Sequence, residues 1–416
     1  MNRQRISGAS AGARRGRGRG RPGLLALLLG AMLLLVTACG GGSDSGDGES
    51  KGKDGAGKTD NKASQAVVTV APKDGAKDVA TSGALKIGAD KGKLTSVSVE
   101  DTKGNEVDGR ITGGGTGWEP AQHLGAATKY KVHAIAKDAE GRESAKDISF
   151  TTLVPKNTFV AYFTPEDGST VGVGMPVSVR FSRGITDPKA VAKAVKVTSE
   201  PAVPIEGHWF GNDRLDLRPE KYWAKGTKVT LKMSLDGVEG RPGVYGKQTK
   251  TVKFTVGRSQ ISVVDAKART MTIKRDGKVL KTIPITAGAP STTTYNGQMV
   301  ISEKYKVTRM NGATVGFGGE YDIKDVPHAM RLSTSGTFIH GNYWAGAGVF
   351  GSSNVSHGCV GLQDVRGGYD KKLPGAWLFD ESIIGDVVIV KNSNDKQIQP
   401  DNGLNGWNLS WSEWKK

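Results

Sequence analysis

The chain has 416 residues, room for two to four domains, with abundant glycine (59) and few aromatics (6%). That balance suits short strands joined by turns, and no long 3.6-period apolar stretch follows the N-terminus to suggest a helical protein. Of the net charge of +17, seven arginines before residue 38 carry +7. The remaining +10 is spread as lysines without a dense basic stripe, which argues against a nucleic-acid partner and for attraction to an acidic wall or membrane surface.

Residues 1–38 read as an export signal. An arginine-rich stretch ends at Arg21, and an apolar run, Leu24 to Val36, is too short to span a bilayer but suits a signal-peptide core. The run ends in Val36-Thr37-Ala38-Cys39, which resembles a bacterial lipobox. The resemblance implies cleavage before Cys39 and lipid on its thiol, placing the protein outside the cytoplasm on the outer face of the membrane. Residues 39–65 contain no aliphatic side chain larger than alanine after Cys39 and read as a disordered tether. Its typical reach is about 30 Å.

From Val67 the pattern becomes alternating and turn-rich. Val68-Thr69-Val70 leads into Pro72-Lys73-Asp74-Gly75, and Tyr162-Phe163-Thr164 into Pro165-Glu166-Asp167-Gly168. Later pieces match as well, Phe150-Thr151-Thr152 with Phe254-Thr255-Val256. An offset of about 100 residues is the size of an immunoglobulin-like sandwich. The reading is two tandem sandwiches, 66–154 and 155–257. Their histidines (His123, His133, His208) read as structural or surface groups, and Trp118, Trp209 and Trp223 as core or module-interface residues.

A third β-rich module, 258–393, follows. Asp276-Gly277 marks a hairpin, and Asp386 to Val390 a last strand. Between Tyr369 and Phe379 a short helical turn is possible, limited by Pro374 and Gly375. Within the module lie Phe338-Ile339-His340-Gly341 and Ser356-His357-Gly358-Cys359-Val360-Gly361-Leu362. A thiol attacks as thiolate, and a nearby imidazole can take its proton. Gly358 would let amide N–H groups face an oxyanion. From the residues alone, a catalytic cysteine competes with a buried inert one. A metal site is disfavoured because one cysteine and two or three histidines lack tight paired spacing. The catalytic reading expects the sulfur ionised beside an imidazole in an open cleft.

These motifs closely resemble the signature of L,D-transpeptidases. With two preceding sandwiches and the Trp-rich tail Gly403 to Trp414, the chain looks like the actinobacterial lipoprotein branch over residues 66–416. The resemblance implies a largely β catalytic domain with a mobile flap and no cofactor. It implies that a tetrapeptide stem of peptidoglycan acylates Cys359 with loss of D-alanine, that a second stem accepts the acyl group in a 3→3 cross-link, and that carbapenem β-lactams acylate the same sulfur. By matching positions, Cys359 is the nucleophile, His340 the base with the Gly341 carbonyl orienting its ring, and His357 a supporting histidine. Spacing alone would favour His357 as base, since residues two apart on a strand share a face. Gly358 and Cys359 amides would stabilise the oxyanion. Tyr321 and Met310 would line the flap, and Ser335, Gly336 and Asn354 would contact substrate. Gly361 departs from the pattern: many relatives carry Asn there. Residues 342–353 read as a mobile rim loop, and the tail, 394–416, is expected to pack back between the catalytic module and the second sandwich. The alternatives are an L,D-carboxypeptidase hydrolysing the same acyl-enzyme, a related enzyme linking a protein to peptidoglycan, and a non-enzymatic wall-binding lipoprotein.

Overall fold

In the computed structural model, residues 62–316 and 318–416 are described. The signal-peptide reading, Cys39 and nearly all of the tether lie outside the described residues. Strands dominate, and the alternation that suggested them reflects burial. In Lys129–Lys137, for example, Tyr130, Val132, Ala134 and Ala136 are buried while Lys129, Lys131 and His133 face outward.

Two sheets enclose the first apolar core. One has the order Val67–Ala71, Lys86–Asp90, Gly117–Pro120, Gly109–Thr112. The other runs Ala76–Val79, Glu143–Thr152, Lys129–Lys137, Lys93–Asp101. Ile87 and Trp118 from one meet Val132 and Phe150 from the other. A second pair repeats the plan. Ala161–Thr164, Val177–Phe181, Arg214–Pro219 and Ile205–Phe210 form one sheet, and Thr170–Val171, Thr249–Val256, Lys228–Ser234 and Val195–Glu200 the other. The repeated Pro-x-Asp-Gly turn does the same work in both. Asp74 Oδ1 accepts the Ser149 amide at 2.7 Å and Asp167 Oδ1 the Lys253 amide at 2.7 Å. Gly75 and Gly168 both adopt φ 73°, where a Cβ would be strained. A cleft of about 1350 Å³ lies between the sandwiches, lined by Trp118, His123, Asp187, Lys193, Arg241 and Tyr245. Beside it Thr81 Oγ1 donates to the Gly237 carbonyl at 2.6 Å.

The third module is two layers. A five-stranded sheet has the order Lys278–Pro284, Thr270–Arg275, Gln260–Asp265, Val387–Lys391, Gly297–Val300. A four-stranded sheet has the order Glu303–Asn311, Asp322–Arg331, Phe338–Asn342, Val360–Gln363. Met271, Ile273 and Val388 of the first and Met330, Ile339, Val360 and Leu362 of the second share one core. Asp276 and Gly277 take φ 48° and 82°, the left-handed pair a two-residue hairpin demands. Pro374 does not limit the helix near it. It opens a helix, Pro374–Glu381, as the first-turn residue, where its missing N–H has no partner to lose.

The C-terminal segment wedges against both the second sandwich and the third module. Trp407 Nε1 donates to the Gly174 carbonyl at 2.7 Å, and Trp414 Nε1 to the Glu206 carbonyl at 2.9 Å. Asn405 Oδ1 accepts from Val300 N at 3.1 Å, and Asn408 Oδ1 from Gln298 N at 2.9 Å. The Arg218 guanidinium stands 4.6 Å from the Trp407 ring and 4.2 Å from the Trp414 ring, a cation held between two aromatic faces. His208 stacks on Trp414 at 5.0 Å. Because Trp414 is fully buried, Trp414→Ala should destabilise the fold by about 3–5 kcal/mol. Denaturant unfolding of the variant checks this, and an unchanged midpoint would mean the tail rests on the surface without holding it.

Candidate active site

The site begins with one strand pairing. Phe338–Asn342 runs parallel to Val360–Gln363, with Ile339 opposite Val360 and His340 opposite Gly361. Period-two alternation then sends His340 and Gly361 to one face, with Phe338 two positions back on the same strand, and Phe338 and Cys359 share a small apolar cluster. Cys359 lies in the bend immediately ahead of Val360, so the strand pairing sets its backbone beside the strand that carries His340.

His340 is buried, and its Nδ1 lies 2.9 Å from the Gly341 carbonyl. A carbonyl only accepts, so Nδ1 carries the proton and Nε2 presents a lone pair, the tautomer of a base. Burial pulls the imidazole below its ordinary 6.5, partly opposed by the Gly341 hydrogen bond and by the Asp364 carboxylate. The ring is neutral at pH 7.

The sulfur differs from expectation. Cys359 is 8% exposed and packs with Met310, Val326, Ala329 and Phe338, with Tyr321 and Ile323 beside them. Its Sγ donates to the Gly336 carbonyl at 3.6 Å, and burial pushes its pKa up to about 11. At rest it is a thiol under a cover, not a thiolate in an open cleft, because a charge among these apolar side chains would lose its hydration.

The cover is the antiparallel hairpin of Glu303–Asn311 and Asp322–Arg331 with the turn between them. Tyr321 lies tilted against His357 with ring centroids 5.0 Å apart, and its phenol is pushed up to about 12, mainly by burial and secondarily by Cys359. Met310, 9% exposed, belongs to the same cluster. Gly336, at φ 96°, has Val315 of the hairpin turn pressed on it: a Cβ would come within 2.4 Å of Val315 Cγ1.

His357 turns to the cover, its Nε2 3.2 Å from Glu320 Oε2. It lies in a bend ahead of the strand, so period-two spacing does not relate it to Cys359. Gly358, at φ 106°, does not present its amide to an oxyanion in this state; the N–H donates to Ser356 Oγ at 3.2 Å. Ser356 Oγ in turn donates to the Cys359 carbonyl at 2.6 Å, pinning the turn.

Two expected substrate contacts are engaged inside the protein. Asn354 Oδ1 accepts from Ala287 N at 3.0 Å and Nδ2 donates to the Ala266 carbonyl at 2.9 Å, so both ends of its amide tie a loop to the five-stranded layer. Ser335 is bonded to Asn402 of the C-terminal segment, N to Oδ1 at 3.0 Å and Oγ from Nδ2 at 2.8 Å. Gly361 has a steric reason to lack a side chain: a Cβ would lie 2.8 Å from Thr286 Cγ2. Hence no side-chain hydrogen bond comes from this position. Reading the sequence missed Trp344, half-exposed and stacked on His340 at 5.5 Å with planes 15° apart. Its place in a glycine-rich segment just after His340 was the available signal.

Residues 259–390 match the family model of the L,D-transpeptidase catalytic domain, and residues 76–239, spanning strands of both sandwiches, match that of a bacterial Ig domain. L,D-transpeptidase 2 of Mycobacterium tuberculosis is 32% identical over 399 residues, covering 94% of each chain. L,D-transpeptidase 5 of the same organism is 28% identical over 356 residues, 83% of this chain and 76% of that protein. A solved L,D-transpeptidase from Mycobacterium smegmatis is 26% identical, with a TM-score of 0.44 over 56% of this chain and 99% of that one. With the catalytic-domain model matched over residues 259–390, and a relative at this identity aligned along nearly its whole length, the chain belongs to the L,D-transpeptidase family.

Proposed function

We propose that this protein cross-links peptidoglycan from outside the cytoplasm, tethered to the membrane by lipid on Cys39. The observation that supports the chemistry is the pairing of Ile339 with Val360, next to Cys359, on the strand of a buried His340 whose Nδ1 is anchored on Gly341, leaving Nε2 to accept a proton. The acyl donor is a tetrapeptide stem. As its carbonyl between the third residue and D-alanine approaches, Sγ passes its proton to His340 Nε2 and bonds to the carbon. Collapse of the adduct returns the proton to the leaving D-alanine amine, and a thioester remains. The side-chain amine of a second stem, losing its proton to the same imidazole, attacks the thioester and gives the 3→3 link while the thiol is restored.

The buried sulfur requires the hairpin bearing Met310 and Tyr321 to lift before a stem can reach it. Lifting wets the site, lowers the cost of the thiolate, and separates Glu320 and Tyr321 from His357. The Gly358 amide can turn from Ser356 Oγ to an oxyanion, since glycine tolerates the change. Carbapenems, carrying a strained acyl group and a carboxylate, fit the same nucleophile.

Incubation with purified tetrapeptide muropeptides tests the reading: dimers with released D-alanine are expected. Tripeptides alone would make the protein an L,D-carboxypeptidase, and no turnover with no carbapenem adduct on Cys359 would leave a non-enzymatic wall-binding lipoprotein. Cys359→Ala should abolish the adduct, and His340→Ala should slow acylation by about 10²–10⁴-fold. If His357→Ala instead abolished acylation and His340→Ala spared it, the roles would be reversed.

The pH dependence follows from the two groups. With the thiol up to about 11 and the imidazole below 6.5, the resting pair is thiol plus neutral imidazole across neutral pH. Protonating His340 removes the base, so carbapenem acylation should be level near neutrality and fall only once the medium is well on the acid side of 6.5. A preformed thiolate–imidazolium pair would instead show the thiolate signature in ultraviolet absorbance at neutral pH, which the resting thiol lacks. Mass spectrometry of the mature protein should find lipid on its first residue, Cys39, and Cys39→Ala should release the protein from membranes. A mature, unmodified Cys39 would remove the anchor from the proposal.

A further inference from the structure

Behind the catalytic strands lies a second histidine that this chemistry leaves unused. His328, within strand Asp322–Arg331, holds φ 52°, a left-handed backbone that a non-glycine residue keeps only when its surroundings enforce it. Its Nδ1 is 2.7 Å from Asp364 Oδ2, and the two side chains are 10% and 0% exposed. The ring sits 5.1 Å from that of Phe379, and Gly368 makes room for it, since a Cβ there would come 2.5 Å from His328 Cε1. The other carboxylate oxygen accepts from Val365 N at 2.8 Å.

The same carboxylate closes on two glycines. A Cβ built on Gly341 or on Gly375 would in each case fall 2.2 Å from Asp364 Oδ2. Gly341 is the residue whose carbonyl takes the Nδ1–H of His340. A fully buried acid therefore lies directly against the peptide that orients the proposed base, where water screens its charge little.

We propose that Asp364, held in place by His328, is a positioning residue for His340: it fixes the Gly341 peptide and stabilises the imidazolium formed when the Cys359 thiol gives up its proton. The inference rests on the reading of His340 as base. The carboxylate already opposes the downward pull of burial on that imidazole. Other charges surround the pair. Asp380 of helix Pro374–Glu381 acts on His328 and is itself paired with Lys371 at 2.8 Å, while Lys304 of strand Glu303–Asn311 donates to the Phe379 carbonyl at 2.6 Å. Among the charged groups, Asp364 is the one whose carboxylate bears on His340.

The test is the titration of His340 in the intact mature protein, followed by NMR of imidazole-labelled histidine and assigned with His340→Gln. Carbapenem acylation is measured alongside. Asp364→Asn keeps the shape and removes the charge, and Asp364→Ser, smaller still, serves if the amide does not fold. In the folded variant His340 should titrate at lower pH than in the wild type, and acylation should slow about tenfold per unit of that shift, with the initial affinity for the carbapenem unchanged. An unmoved His340 titration in a folded variant would overturn the proposal, even if acylation slowed, because that result marks a merely structural residue. So would a wild-type His340 that stays neutral down to about pH 4, a behaviour expected of burial without a nearby carboxylate; this outcome needs no variant. A wild type that never forms an adduct would instead sink the proposed function, and the NMR comparison would still judge the role of Asp364.

Discussion

The parallel pairing of Phe338–Asn342 with Val360–Gln363 is the constraint on which the site depends. Backbone hydrogen bonds set its register, and that register sets His340 opposite Gly361 and Ile339 opposite Val360, the residue after Cys359. A slip of one residue would break both matches. The pairing is secured from both sides. Ile339, Val360 and Leu362 are fully buried in the shared core, and the Thr286 and Gly361 amides and carbonyls bond reciprocally at 3.0 and 2.8 Å, tying the strand to the other layer. The absence of a side chain at Gly361 allows that approach.

On this rigid pair the chemistry is governed by water. Beneath Met310 and Tyr321, burial favours the thiol form of the sulfur. A thiolate under that cover would lack both hydration and a close cation. The cover meets the site through Val315 on Gly336, Glu320 and Tyr321 on His357, and the apolar cluster of Met310 and Phe338. Reactivity and access are thus one variable, set by the part of the hairpin that carries Met310 and Tyr321.

The second sandwich meets the catalytic module directly, Gly172 and Gly174 N–H donating to the Ile384 and Gly385 carbonyls, and also through the tail. Trp407 and Trp414 reach the second sandwich, Asn405 and Asn408 bond to Gly297–Val300, and Asn402 holds Ser335 just before the Gly336 carbonyl that faces the sulfur. A segment distant in sequence therefore braces one wall of the site as well as joining the modules.

Much was legible in the chain itself. Alternation marked the strands, Pro-x-Asp-Gly marked a turn used twice, Asp276-Gly277 marked a hairpin, and the spaced histidines around Cys359 marked the chemistry, because each is a local preference carried by one or two neighbouring residues. Tertiary structure decided what depends on partners brought from afar. Burial of the sulfur, the engagement of Asn354 and Ser335 within the protein, the stacking of Trp344 on His340 and the packing of Asp364 against Gly341 all arise from groups that meet only in the fold. Identity and spacing dictate which reactions a residue can perform. Its exposure, protonation and free hydrogen-bonding capacity are set by neighbours, and those are chosen by the packing of sheets whose strands lie tens of residues apart.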